Sequence, residues 1–250
     1  MVRQAMAALL AGLVGAIIPA AAAAPSCTPS TSGDDVIVCT KFDDSVDAGE
    51  GDDFIKGKGG NDILLGGPGD DRAYGGIGVD VLKGDVGDDL LDGDSEDDSL
   101  FGGEGEDHLR GSTGADALAG GAGADLLEGG PHDDHIKGGA DDDLLWGDEG
   151  DDELNSGPGA DALVGGGGDD LLYGRAGPDE LRGGPGNDRL YPGGGVDTVR
   201  GGPGDDRIFG AGGGSDRIVC GPGYDIVFSY TPDTVVRGCE EVWGPGASKP

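Results

Sequence analysis

Positive charge is the first thing this chain lacks. Sixteen lysines and arginines stand against 50 aspartates and glutamates, a formal net charge of −34. So acidic a surface repels phosphate backbones and anionic headgroups, which argues against nucleic acid and anionic membranes as partners. Aromatic residues are few, 5% of the chain, and there is no regular threonine array of the kind an ice-binding face needs. Cysteine is absent between Cys39 and Cys220, histidine occurs three times, and neither HExxH nor GxSxG appears, so the residue sets of zinc peptidases and nucleophile-elbow hydrolases are missing. Paired carboxylates are plentiful. Glycoside chemistry, however, needs two in a cleft with divergent proton affinities, and a row of identical pairs supplies no such asymmetry. Nothing in the chain points to an enzyme.

Long apolar runs are missing too, with one exception. MVRQAMAALLAGLVGAIIPAAAAAP sets Arg3 before an apolar run from Ala5 to Ile18, followed by small residues suited to a signal peptidase. Residues 1–24 are expected to be a secretory signal peptide, leaving a mature chain with no transmembrane segment. Export to an oxidising compartment gives the four cysteines meaning. Three pairings are formally open, and two local loops, Cys27 with Cys39 and Cys220 with Cys239, fit the spacing best. A zinc site fits poorly, because there is no CxxC and the histidines lie far from the cysteines in sequence.

What the chain does have is glycine, 57 residues of it, and aspartate. High charge with so much glycine ordinarily marks disorder, but here the letters keep a period. Cut every nine residues from Ser30, the frame runs without a slip to Phe209, twenty consecutive units. The sixth place is aspartate in all of them, beginning with Asp35 and Asp44. The eighth is Ile, Leu or Val in every unit except that of Ala73. From Ala48 onward the first place is glycine except at Ala48, Ser156 and Pro192, and the fourth except at Glu96, His132 and Asp141. A fixed pair of glycines marks a tight turn of fixed shape.

One aliphatic residue per nine, flanked by variable neighbours, reads as a very short strand whose middle residue alone points inward. No unit can bury that residue by itself, so the units must stack. Turn, strand, turn, strand implies about eighteen residues per circuit, each strand pairing with the strand one circuit on. Ten circuits at ~4.8 Å each make two parallel sheets over roughly 50 Å around a thin aliphatic core. The aspartates then form two columns at the corners, and like charges about 5 Å apart repel unless an opposite charge lies between them. Sites of carboxylate and carbonyl oxygen suit a hard cation with many oxygen ligands, calcium more readily than magnesium or zinc. The mature chain, at about −35, would be nearly balanced by some eighteen Ca2+ ions at about +36. Such a chain is expected to be expanded without calcium and folded with it.

GGAGADLLE (120–128), GGGGDDLLY (165–173), GGPGNDRLY (183–191) and GGPGDDRIF (201–209) resemble, position by position, the GGxGxDxUx nonapeptide of the RTX, or hemolysin-type, calcium-binding repeat family. The resemblance covers about 180 residues. It implies an all-β, right-handed parallel β-roll with calcium between turns on its edges. Turn carbonyls and sixth-place carboxylates would be the ligands: Asp53, Asp62, Asp71, Asp80, Asp89, Asp98, Asp107, Asp116, Asp125, Asp134, Asp143, Asp152, Asp161, Asp170, Asp179, Asp188, Asp197 and Asp206.

The division expected is a signal peptide over 1–24, an N-terminal cap of degenerate repeats over 25–47, the roll over 48–209, and a terminal repeat with a C-terminal cap over 210–250. The first two units, STSGDDVIV and CTKFDDSVD, keep Asp35 and Asp44 but lose the glycines. Turns with Glu96, His132 or Asp141 for glycine are expected to bind weakly or take another shape. Aspartate at the fifth place thickens the acidic edge, and His132 and His135 read as surface residues. The frame breaks at 210–219, where the aspartate moves to Asp216, and CGPGYDIVF restores a unit around Asp225. The ending SYTPDTVVRGCEEVWG is expected to cover the last strand edge and is similar to the endings of secreted actinobacterial calcium-binding proteins. The function implied is that of an extracellular calcium-binding repeat protein with a structural, matrix or envelope role. The alternative is an adhesin or a glycan- or protein-binding module using a sheet face with Tyr74, Phe101, Trp146, Tyr173, Tyr191 and Phe209. Of these, Tyr173, Tyr191 and Phe209 stand eighteen apart and are expected to stack as a stabilising ladder.

Overall fold

A computed structural model describes residue 27 and residues 31–210, 214–229 and 235–244. Among the described residues, twenty-four short strands alternate between two parallel sheets of twelve, every odd strand in one and every even strand in the other. The chain thus coils as a flattened spiral, and each strand pairs with the strands one circuit before and after it. Leu127, Leu145, Leu163, Leu181 and Val199 lie opposite one another in register, eighteen residues apart. The break in the nine-residue frame at 210–219 appears as a register of nineteen, Val199 opposite Ile218 and Ile208 opposite Val227.

The eighth-place residues fill the interior. Leu82, Leu91, Leu100 and their equivalents from Ile55 to Ile208 are buried, Ala73 among them. Their neighbours on the strand face outward, as alternation along a strand requires. Most strands are longer than the single inward residue suggests. Leu144–Glu149 and Leu171–Ala176 each run six residues, through the seventh to ninth places and on through the first three of the next unit. Parallel pairing needs only backbone groups, so it continues through glycines that look like turn letters in the sequence. The first-place glycine is therefore a second inward position, as Gly147 shows in strand Leu144–Glu149. Three-residue strands do occur, at Val36–Val38 and Arg189–Tyr191 for example.

Both ends join the spiral. The degenerate first units contribute Val36–Val38 and Ser45–Asp47, paired to Phe54–Gly59 and Ile63–Pro68. At the other end Val235–Arg237 and Glu241–Trp243 pair with Arg217–Val219 and Ile226–Ser229, so the ending adds one more circuit. The edge is moved outward rather than merely covered. Disulfides join Cys27 to Cys39 and Cys220 to Cys239, with Cα atoms 5.0 and 5.3 Å apart, the two local loops. Cys39 and Cys220 are buried in the core column, so each clip fastens an end of the stack to its interior.

Tyr173, Tyr191, Phe209 and Phe228 stack in that order, centroids 5.0, 4.4 and 4.9 Å apart, with Phe209 nearly parallel to both neighbours. The ladder expected from the eighteen-residue spacing is present, lengthened by one ring. No helix among the described residues is long and apolar enough to cross a membrane. The proposed signal peptide, 1–24, lies outside the described residues.

Candidate metal centre

Each corner of the spiral is the stretch from the fourth to the sixth place, and the sixth-place aspartate closes it. Asp98 is representative. Its N–H donates to Asp116 Oδ1 at 2.7 Å, and its own Oδ1 accepts the N–H of Asp80 at 2.7 Å. Its carbonyl accepts the N–H of Ala117. One carboxylate oxygen of each aspartate is thus fixed by the circuit before it. The same bond recurs along one corner, as in Asp53 to Asp71 and Asp143 to Asp161, and along the other, as in Asp62 to Asp80 and Asp152 to Asp170.

The second oxygen is left over. Oδ2 of every sixth-place aspartate from Asp53 to Asp206, and of Asp225, is buried and accepts no hydrogen bond. A buried polar atom without a partner ordinarily costs a few kcal/mol, about 1–3 by mutational series and more for a charged group. Repeated down two files, it is no local accident of packing.

The first-place glycine explains how those oxygens are housed. A Cβ on Gly165 would stand 2.2 Å from Asp170 Oδ2 and 2.7 Å from the carbonyl oxygen of Gly183, one circuit on. On Gly111 it would meet Asp116 Oδ2 at 2.4 Å and Gly129 O at 2.7 Å. An orphaned carboxylate oxygen and a carbonyl oxygen therefore converge over a Cα that must have no side chain. The donor set is all oxygen, part anionic and part neutral, with neither sulfur nor imidazole. That set fits Ca2+, which takes six to eight such oxygens in flexible geometry, better than a small octahedral or a soft ion.

The electrostatics of the corners would favour a cation. Burial is the largest influence on these carboxyls and pushes them up; the N–H bond from the preceding circuit works against it, and neighbouring carboxylates add to it. Asp98, Asp134 and Asp170 are raised to about 8. Asp89, Asp125, Asp143, Asp179 and Asp206 reach about 7. Asp62, Asp71, Asp116, Asp152 and Asp188 reach about 6. Asp53, Asp80, Asp107, Asp161 and Asp197 are raised as well. All eighteen aspartates singled out in the sequence are thus gathered into two buried files.

Three features of the corners differ from, or add to, the sequence reading. Glu96, His132 and Asp141 keep the positive φ of the glycines they replace, at 78°, 87° and 78°, so their turns retain the common shape instead of adopting another. The second place is also left-handed, in Gly166 (φ 115°) and in the non-glycine residues Lys58, Asp85, Asp94, Ser112, Asp148 and Arg175. Last, the fifth place carries a second ladder, exposed and of opposite sense. Asp88 Oδ1 accepts the N–H of Glu106, one circuit on, at 2.8 Å, and Asp151 Oδ1 that of Asp169 at 2.9 Å. Asn187 does the same for Asp205. Ala160 has no acceptor to offer, and the residue one circuit above it is Pro178, which has no N–H.

The histidines form no cluster among the described residues. His108 lies 3.7 Å from Glu128 and His135 3.6 Å from Glu153, on different sheets, and His132 is exposed. Cys27, Cys39 and Asp44 are close enough to suggest a site, but both sulfurs are spent in the disulfide.

Comparison with known families agrees with this geometry. The family model of the RTX calcium-binding nonapeptide repeat (4 copies) matches residues 30–64, 57–91, 65–100, 92–127, 128–163, 164–199 and 191–227. No curated protein matches the chain.

Proposed function

Since the chain belongs to the RTX calcium-binding nonapeptide repeat family, we propose that its two files of sixth-place aspartates, Asp53 to Asp206, are the ligands that hold calcium and couple its binding to folding. The observation that carries this is the run of buried, unpartnered Oδ2 atoms, most of them facing a carbonyl oxygen over a bare glycine, as at Gly111 and Gly165. Asp216 and Asp225 accept the N–H of Asp197 and Asp206 in the same way and extend the files by one circuit. Bound Ca2+ supplies positive charge between carboxylates that burial would otherwise force to take up protons. The protein's own part is to fix one oxygen of each aspartate by an N–H, leave the other free, and clear a space beside it with glycine.

The protein is a calcium-binding structural repeat protein, its two parallel sheets built from the repeat itself. Secretion is supported by the apolar leader and by two disulfides, which an oxidising compartment preserves. On this reading the mature chain is an extracellular element of matrix or envelope. Binding of glycan or protein through a sheet face has less support, since the four rings of the ladder stack on one another and so hide most of their faces.

Calcium titration followed by far-ultraviolet circular dichroism, with magnesium as control, tests the proposal. The β signal should appear with calcium and not with magnesium. A chain already fully β-structured in chelator would overturn it.

A further inference from the structure

Among the glycines of the first place stands one polar residue, Ser156, fully buried in the strand Glu153–Pro158. Its hydroxyl donates to the carbonyl of Gly174, one circuit on, at 2.8 Å. Gly174 O is the counterpart of the carbonyl that elsewhere faces an orphaned aspartate oxygen, as Gly183 O faces Asp170 Oδ2 over Gly165. The side chain of Ser156 thus stands in the space that glycine keeps clear in the other units.

The carboxylate beside it keeps the common arrangement, Asp161 Oδ1 accepting the N–H of Asp143 at 2.9 Å, so what distinguishes this rung is the side chain of Ser156 itself. Ala48 and Pro192, the other exceptions at this place, have no polar atom to offer.

We infer that the Ser156 hydroxyl takes the cation's place in this cradle, so that the file of calcium sites along the Asp53–Asp216 corner is interrupted between Asp161 and Asp179. The inference rests on the calcium reading above. The carbonyl that would face an ion instead accepts a hydrogen bond from the hydroxyl, and the side chain fills the space. The cradle before it, where Gly138 stands between Asp143 Oδ2 and Ser156 O, is of the ordinary kind. One rung of the stack is thereby held without metal.

Counting ions on the folded full-length chain by native mass spectrometry in calcium tests this. Ser156→Gly should bind one calcium more than wild type. Gly147→Ser, which introduces the hydroxyl beside Asp152 Oδ2 and Gly165 O on the opposite corner, should bind one fewer. An unchanged count in either variant would overturn the inference. A wild-type chain that holds no calcium at all would instead overturn the calcium reading, and this inference with it.

Discussion

Removing calcium should reverse the sign of the protein's response to pH. In the metal-free fold the corner carboxyls from Asp53 to Asp206 are raised above their unfolded value of 3.8, for instance to about 6 in Asp71, about 7 in Asp143 and about 8 in Asp170. The folded chain therefore holds more protons than the unfolded chain between pH ~4 and ~8, and its stability falls as pH rises through that window. A shift of about two units, as in Asp71, corresponds to ~3 kcal/mol against the fold once the group is ionised in both states. Four or five groups of that size would equal the whole net stability of an ordinary domain, about 5–15 kcal/mol; the two files contain many more. In chelator the roll should accordingly be unfolded at pH 8 and gain β-structure as pH is lowered towards 5. With calcium present the order is opposite, because protons compete with the ion for carboxylate, so the calcium concentration at the folding midpoint should rise as pH falls. Circular dichroism across pH 4–8, in chelator and in calcium, reads both slopes. Slopes of the same sign in the two conditions, or a stable metal-free fold at pH 8, would refute the reasoning.

Neighbouring residues should behave very differently under substitution. Gly165→Ala puts a Cβ 2.2 Å from Asp170 Oδ2 and should cost about 1–3 kcal/mol, whereas at Gly167 a Cβ meets nothing within 4 Å, and Gly167→Ala should stay within about 0.5 kcal/mol; denaturant midpoints in saturating calcium compare the two. Asp88→Ala deletes the acceptor of the Glu106 N–H and should cost ~1 kcal/mol with no change in bound calcium, while Asp89→Ala should lower the calcium count, both read by native mass spectrometry. Replacing Cys220 and Cys239 together with serine opens a loop with a sequence separation of 19 and should cost ~3 kcal/mol. Hydrogen exchange should show that loss concentrated in the last circuits, and uniform loosening down to Val36–Val38 would contradict the clip's local role.

Much of this architecture was legible because the repeat is strict where side chains point inward. Asp89 and Leu91 stand for two letters that never or hardly vary, and from them follow the eighteen-residue circuit, the two parallel sheets, the buried column and the files of carboxylates. The frame break before Asp216 likewise appears as the nineteen-residue register between Val199 and Ile218. What escaped was governed by the backbone. The first three places pair as strand although their glycines read as turn. The left-handed second place was hidden because Lys58, Asp85, Ser112 and Arg175 interrupt the glycines there. The fifth-place ladder was visible only as a taste for Asp and Asn; its partner is an N–H one circuit away, which carries no letter of its own. The last circuit, Val235–Arg237 and Glu241–Trp243, lies outside the nine-residue period and could be recognised only as strand pairing in three dimensions.

The most direct test of the central claim is an anomalous difference map from crystals grown in calcium, which locates the ions themselves. Two files of peaks should run along the two corners, about 4.8 Å apart within a file, each beside the Oδ2 atoms of the sixth-place aspartates. Corners without peaks, or peaks confined to the exposed fifth-place carboxylates such as Asp88 and Asp151, would contradict it.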